Sequence, residues 1–276
     1  MRAPARQRVC VVTGAGSGIG RSTALLFARR GDALELVDWN ETGLAETAEL
    51  ARAAGAGAVA SRTLDVGDAR EVTAFALEAA RRHPGVDVLV NNAGVAFVGG
   101  FARTELEHWE EIFRVNVLGA VHCVRAFLSA LRLRRGHIVN LASAAVFYTP
   151  STLGAYGASK HALVGWSEAL RAELAPEGVG VTVVCPGLVA TPLADHLQLP
   201  SGSEGERTRL KALLHRLGCP PERVARAVAN ADRRRPALVT VGADAAVLRL
   251  LKRLAPWAIP ELASRVASRR TVRDIE

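Results

Sequence analysis

The chain has 276 residues, 49% of them hydrophobic and 22% charged, the proportions of a globular fold and not of a disordered chain. Its formal net charge is +8, but the positive residues are spread along the sequence and aromatics make up only 5%, which leaves few stacking platforms for bases and sets nucleic-acid binding aside. Crossing a bilayer takes about 20 apolar residues in a row, a run not expected here, and the opening MRAPARQRVCVVTG passes from a short basic arm into a strand pattern unlike a signal peptide, so a cytoplasmic protein is expected.

Seven apolar runs, at 8–13, 33–38, 59–64, 86–90, 136–141, 179–185 and 238–241, alternate with helical patterns at 19–30, 41–54, 69–82, 105–133, 155–175 and 221–231. The runs are rich in Val, Leu and Ile without polar alternation, as suits strands covered on both faces. This order with short connections predicts an α/β fold: a Rossmann-type, doubly wound, seven-stranded parallel sheet with helices on both faces. One domain is expected over 1–242, with the irregular stretch 190–219 as a lid over a binding site. Residues 243–276 read as a basic amphipathic extension in which Leu248, Leu251, Leu254 and Trp257 share a face. It has three candidate resting places: the domain itself, a partner subunit or an anionic membrane surface. The membrane ranks last because Pro256 and Pro260 interrupt any long helix. Cys10, Cys123, Cys185 and Cys219 are scattered, with no CxxC pair and no histidine pattern, so buried reduced thiols and no metal site are expected.

The first strand leads into Thr13-Gly14-Ala15-Gly16-Ser17-Gly18-Ile19-Gly20 and then a helix. Glycines permit a tight turn and close approach of the backbone to a pyrophosphate, whose charge a helix N-terminus stabilises. The second strand ends at Asp38, twenty residues beyond Gly18, where a dinucleotide fold places an acid to accept hydrogen bonds from the adenosine ribose. A 2′-phosphate there would meet a like charge, and neither Trp39 nor Ser17 would neutralise it. NAD is therefore expected over NADP.

A third cluster follows the fifth strand. Ser143 stands just beyond it, and Tyr156 and Lys160 open the next helix at i and i+4, on one face. A phenol of pKa near 10 is a poor base at neutral pH, and a neighbouring ammonium is expected to lower that value. Ser143 would supply a second hydroxyl to a substrate oxygen.

Together these residues resemble the short-chain dehydrogenase/reductase superfamily in its compact single-domain branch. The resemblance runs from Arg8 to Val241: the TGxxxGxG turn at Thr13–Gly20, Asp65-Val66, Asn91-Asn92-Ala93-Gly94, Asn116, Ser143, Tyr156, Lys160 and Pro186-Gly187-Leu188-Val189-Ala190-Thr191. The extended, sugar-nucleotide branch spaces its glycines differently, which disfavours epimerase or dehydratase chemistry. The resemblance implies Tyr156 as general acid/base, Lys160 lowering its pKa and holding the nicotinamide ribose, Ser143 orienting the substrate oxygen and Asn116 helping to hold a relay water. It further implies cofactor contacts from Gly14, Ser17, Gly18, Ile19 and Gly20, from Asp65 and Val66 at the adenine, and from Asn92, Ala93 and Gly94 along the adenosine half. Pro186, Gly187, Val189 and Thr191 would hold the nicotinamide. A homotetramer or homodimer through helices 105–133 and 155–175 is implied as well.

Other polar residues near these motifs have structural readings. Asn91 is expected to tie strands through its amide, His137 and His161 to pack, and Phe147 and Trp166 to line core or pocket. The stretches expected around the substrate, 95–101, 144–148 and 193–217, are mostly apolar, which favours a hydrophobic secondary alcohol or ketone. The alternatives are an NADP-dependent carbonyl reductase and a dinucleotide-binding regulatory protein with little turnover.

Overall fold

The computed structural model describes residues 6–191 and 216–257, together with positions 205, 208, 212 and 261. Seven parallel strands form one sheet: β1 (Val9–Thr13), β2 (Ala33–Asp38), β3 (Ala58–Thr63), β4 (Val88–Asn91), β5 (His137–Leu141), β6 (Gly180–Pro186) and β7 (Leu238–Val241), in the order β3-β2-β1-β4-β5-β6-β7. Between them run α1 (Gly18–Ala28), α2 (Glu41–Ala53), α3 (Ala69–Arg82), α4 (Leu106–Phe113), α5 (Gly119–Arg134), α6 (Gly154–Leu174), α7 (Pro221–Arg234) and, after β7, α8 (Ala243–Leu254). The strand runs expected from the sequence are all present, with ends displaced by two residues or fewer.

The alternation of side chains along each strand explains why these runs are apolar throughout. In β1, Val9 and Val11 join a core with Phe75, Leu89, Phe127, Leu131 and Ile138 on one face. Cys10 and Val12 point the other way, into a core with Phe27, Leu34, Leu36, Val90 and Val139. Both faces of the central strands are therefore dry, while the edge strand β3 is largely exposed, and each fully buried large aliphatic or aromatic side chain contributes about 1.5–3 kcal/mol.

Three sequence expectations change. The pattern at 105–133 is one helical run interrupted by a π-helical turn at Arg114–Leu118, between α4 and α5. That run, Leu106–Arg134, is by length and composition apolar enough to span a bilayer, contrary to expectation. Its Ile112, Cys123, Val124, Phe127 and Leu131 are buried against the rest of the fold, which accounts for the hydropathy. In the C-terminal extension α8 buries Ala245 and half-buries Leu248 against the domain, while Leu251, Leu254 and Trp257 are exposed. Of the four thiols, Cys219 is only half-buried, whereas burial pushes the Cys123 and Cys185 thiols up to about 12.

Most polar groups taken into the sheet layer find partners, although Asn91 Oδ1 is left without one. Asn91 and Asn140 are register partners on β4 and β5, and the Asn91 amide donates to Asn140 Oδ1 at 2.8 Å. Glu35, fully buried on β2, receives Nε and Nη2 of Arg82 at 2.8 and 2.7 Å. His137, at the start of β5, is fully buried. The Thr182 hydroxyl donates to the Pro236 carbonyl, so His137 Nε2 carries the proton that it gives to Thr182 Oγ1 at 3.0 Å. Its Nδ1 has no partner.

Burial, with Arg235 and Arg171 nearby, pushes the His137 pKa down to about 3. An unfolded histidine titrates near 6.5, so below that pH the unfolded chain takes up a proton that the folded chain refuses. The stability present above pH 6.5 is expected to drain away between about pH 6.5 and 3, by up to about 1.4 kcal/mol per pH unit from this residue. In denaturant titrations at pH 7 and pH 5, His137→Gln should show a smaller acid loss than the parent; an equal loss would remove His137 from the account.

Candidate active site

The strand order reverses between β1 and its two neighbours: β2 follows on one side and β4 on the other, which opens a crevice at the carboxyl ends of the strands. A knot of hydrogen bonds holds its floor. Thr13 Oγ1 accepts from the backbone N–H groups of Asn92 and Ala93 at 3.0 Å. The Asn92 amide donates to the carbonyls of Thr13 and Gly14, also at 3.0 Å. Gly14 and Gly18 have φ of +64° and +52°, which β-carbon-bearing residues seldom adopt. A Cβ on Gly20 would lie 1.9 Å from the Gly14 carbonyl oxygen. The turn is therefore as tight as the chain permits, with Ser17 and Ile19 half-buried at the start of α1.

Asp38 is 8% exposed and closes one side of this turn. Its Oδ2 accepts from Gly16 N at 2.7 Å and its Oδ1 from Asn40 N at 2.9 Å, so the carboxylate is fixed beside the loop. Arg21, not singled out from the sequence, braces the same loop. Its guanidinium donates to Gly16 O and pairs with Glu46, both at 2.7 Å, and its Nε donates to Thr47 Oγ1 at 2.9 Å. Asp65 is engaged by Arg114 at 2.6 Å and by Gly67 N at 2.8 Å. Val66 is buried, and its carbonyl faces His122 Nδ1 at 3.0 Å.

The second cluster lies on the far side of Gly94, whose added Cβ would stand 3.1 Å from Asn116 Oδ1 and 3.4 Å from Lys160 Nζ. Tyr156 enters from the first turn of α6 with its hydroxyl near the Ser143 side chain, whose Oγ accepts from Ala145 N at 3.2 Å. Lys160, one turn on, is 4% exposed; its ammonium donates to Leu141 O at 2.9 Å and lies 5.6 Å from the centre of the Tyr156 ring. Asn116 sits in the π-helical turn. Its Oδ1 accepts from Val95 N at 2.8 Å, and its amide donates to Val95 O and Ser159 Oγ, both at 3.0 Å. Ser143, Tyr156, Lys160 and Asn116 are thus brought together.

The electrostatics of this cluster differ from expectation. Burial raises the Tyr156 pKa, the hydrogen bond from Ser143 opposes that rise, and Lys160 contributes no lowering. The ammonium is turned to a backbone carbonyl and the ring, not to the phenolic oxygen. Burial also brings Lys160 down to about 8, so it still carries its charge over most molecules at neutral pH.

The third segment, Pro186 to Thr191, leaves β6 and turns across the crevice. Gly187 N donates to Val241 O at 2.8 Å and Ala190 N to Cys219 O at 3.0 Å, and Val189 is buried. Two side chains of α8 hold this region, and the sequence reading passed both over. Asp244 Oδ2 accepts from Leu188 N at 2.7 Å, so close to Gly187 that a Cβ there would lie 2.1 Å from the carboxylate. Lys252 Nζ donates to Val146 O at 2.7 Å and meets His161 Nε2 at 3.4 Å. Eight residues apart, the two share a helix face, the one available sequence signal. Of the stretches expected around a substrate, 95–101 pairs with the segment before Tyr156 through Gly99 N to Thr152 O at 2.8 Å, and Phe97 packs with Ile112 and Ala155. Phe147 lies beyond Ser143, against Val146 and Cys185. Most of 193–217 lies outside the described residues.

Comparison with known proteins gives one family model that matches, short chain dehydrogenase, over residues 8–200. A probable oxidoreductase, EphD, of Mycobacterium tuberculosis (strain ATCC 25618 / H37Rv) is 37% identical over 256 residues, covering 90% of this chain but 43% of that protein. The chain thus spans under half the length of that relative. A 1-deoxy-11-beta-hydroxypentalenate dehydrogenase of Streptomyces exfoliatus is 38% identical over 203 residues, 72% of this chain and 74% of that one. Among solved structures, a short chain dehydrogenase/reductase from Burkholderia phymatum in complex with NAD superposes with a TM-score of 0.82 at 33% identity, covering 90% of this chain and 93% of the other.

If α8 braces the crevice, Lys252→Met is expected to speed amide hydrogen exchange across residues 144–147 while the exchange of β1 and β4 stays as in the parent. Unchanged protection at 144–147 would show that the loop is held without α8.

Proposed function

The chain belongs to the short-chain dehydrogenase family, and from that premise we propose that it is an NAD-dependent oxidoreductase interconverting a hydrophobic secondary alcohol and its ketone, with Tyr156 as general acid/base. The nearness of the Tyr156 and Ser143 hydroxyls, beside the buried ammonium of Lys160, carries this reading.

The residues present fit a dinucleotide. Gly14 and Gly20 pack so closely on Asn92, Ala93 and the Gly14 carbonyl that a Cβ at either would collide, and Gly18 takes a positive φ; the N-terminus of α1 opens onto the turn they make, the arrangement that stabilises a pyrophosphate. Asp38 is preset to accept ribose hydroxyls while it keeps its bonds to Gly16 and Asn40. A 2′-phosphate would bring a dianion against that carboxylate. Arg21, the cation of the loop, is already engaged by Gly16, Thr47 and Glu46, which supports NAD over NADP. Asn92 to Gly94 would hold the adenosine half, Pro186, Gly187, Val189 and Thr191 the nicotinamide half, and Asp65 and Val66 the adenine side. When bound, the dinucleotide takes or gives the hydride.

The protein's own share is one proton and a position. A substrate oxygen enters between the two hydroxyls. In oxidation Tyr156 takes the hydroxyl proton, and in reduction it returns one to the carbonyl oxygen, while Ser143 holds that oxygen in place. Lys160, its ammonium on Leu141 O and over the Tyr156 ring, fixes the same buried volume from one turn along α6. Asn116, with both ends of its amide engaged, holds the π-helical turn against Val95 and Ser159 beside Lys160. The apolar neighbours Val95, Phe97 and Phe147 support a hydrophobic substrate.

Tyr156→Phe is expected to lower turnover by about 10²–10⁴-fold on whichever member of a secondary-alcohol panel the parent oxidises with NAD, while NADH binding followed by fluorescence is kept. Full turnover by that variant would overturn the assignment. Asp38→Ser is expected to weaken NAD binding by about tenfold, some 1.4 kcal/mol, and to narrow or reverse the preference against NADP in the same titration.

A further inference from the structure

At the opposite edge of the sheet, where β1, β4 and β5 begin, a cavity of about 320 Å³ opens against the C-terminal ends of α5 and α7. Five arginines and two aspartates line it. The carboxylates are already satisfied: Asp232 pairs with Arg8 at 2.8 Å, and Asp87 with Arg6 at 2.6 Å. Arg235 spends its two Nη groups on the carbonyls of Gly178 and Arg135. That leaves Arg134, Arg135 and Arg233 lining the cavity without an ion-pair partner among the described residues, and Arg134 Nε is buried with no hydrogen bond.

The backbone supplies a second, independent observation. Among the described residues only Arg135 and Arg235 have positive φ without being glycine, at 48° and 51°. Each ends a helix at the position where glycine is the usual residue, and each carries a left-handed cost of about 1–2 kcal/mol. Helix dipoles account for basic residues in the last turns, such as Arg134 and Arg233, by about 0.3–1 kcal/mol apiece. The bonds of Arg235 to Gly178 O and Arg135 O account for arginine at one left-handed position, whereas the Arg135 side chain has no such partner among the described residues. Uncompensated like charges gathered around a recess are stabilised by an anion, and guanidinium forks match phosphoryl oxygens bidentately.

We propose that this cleft binds a small phosphorylated molecule, its phosphoryl or pyrophosphoryl group held by Arg134, Arg135 and Arg233, at a site separate from the dinucleotide crevice. The volume lies at the small end of ligand pockets, about 300–1,000 Å³, which fits a phosphate ester or pyrophosphate.

The test is calorimetric titration of the full chain with inorganic pyrophosphate, with NADH saturating so that the crevice cannot supply the signal. Binding is expected in the parent and in Arg70→Gln, which loses the same charge on an exposed part of α3. It is expected to weaken by about tenfold or more in Arg135→Gly, in line with the strength of a charge-assisted bond. Because glycine relieves the positive φ, the thermal midpoint of Arg135→Gly should equal or exceed the parent's, so lost binding would not reflect lost folding. Phosphatidylcholine vesicles carrying phosphatidic acid separate the two sources of phosphate: pyrophosphate binding without vesicle binding assigns a soluble ligand, and binding of both, each lost in Arg135→Gly, extends the site to a lipid headgroup. Absence of pyrophosphate binding, or equal binding by the parent and Arg135→Gly, overturns the proposal.

Discussion

Two hydroxyls meet beside a buried ammonium only because three separate pieces of chain are held to one side of the sheet. Ser143 arrives at the end of β5, Tyr156 and Lys160 on the first two turns of α6, and both are backed by the Asn116 amide from the π-helical turn. Each piece is fixed by backbone bonds from elsewhere: Leu141 O takes the Lys160 ammonium, Val95 clasps Asn116, and Val146 O takes Lys252. The same desolvation that makes the site specific also works against it. Burial raises the phenol and lowers the ammonium, so in the protein alone the proton stays on Tyr156. Acidity suited to catalysis therefore has to come from what binds beside it.

How much of this could be read from the sequence follows from how local each feature is. The strands were legible because both faces of the sheet are buried, so every position of β1, β2 or β5 selects for an apolar or matched side chain. The glycine turn and Asp38 were legible because a tight turn and a strand-end acid depend on a few adjacent residues and a fixed spacing. Tyr156 and Lys160 were legible through helical periodicity. What escaped depends on tertiary partners. Nothing near Arg21 announces that Gly16 and Thr47 will face it, and nothing near Asp244 or Lys252 announces Leu188 and Val146. Leu251, Leu254 and Trp257 show the same limit from the other side: an amphipathic pattern states that a face is apolar, not what it packs against. The direction of the Tyr156 shift was misjudged because spacing along a helix reveals proximity to Lys160 but not the desolvation both groups share.

The two ends of the sheet make different uses of its polarity. At the carboxyl ends, glycine backbone, a helix N-terminus and a strand-end carboxylate form a neutral-to-acidic crevice around a buried pair of titratable groups. At the amino ends, helix C-termini and arginines gather around a polar recess in which the backbone itself is strained to place side chains. α8 belongs to the first end, because its Asp244 and Lys252 reach back to the Gly187 turn and the Ser143 loop.

The chain contains only two tyrosines, Tyr148 and Tyr156, which makes the central claim directly measurable. Tyrosinate absorbance can be followed against pH in the parent and in Tyr156→Phe, with and without saturating NAD, and the difference between the two proteins isolates residue 156. A phenol that serves as acid/base beside a bound nicotinamide and Lys160 should ionise at clearly lower pH in the NAD complex than in the protein alone. An ionisation that stays high and does not move when NAD binds would contradict the role assigned to Tyr156.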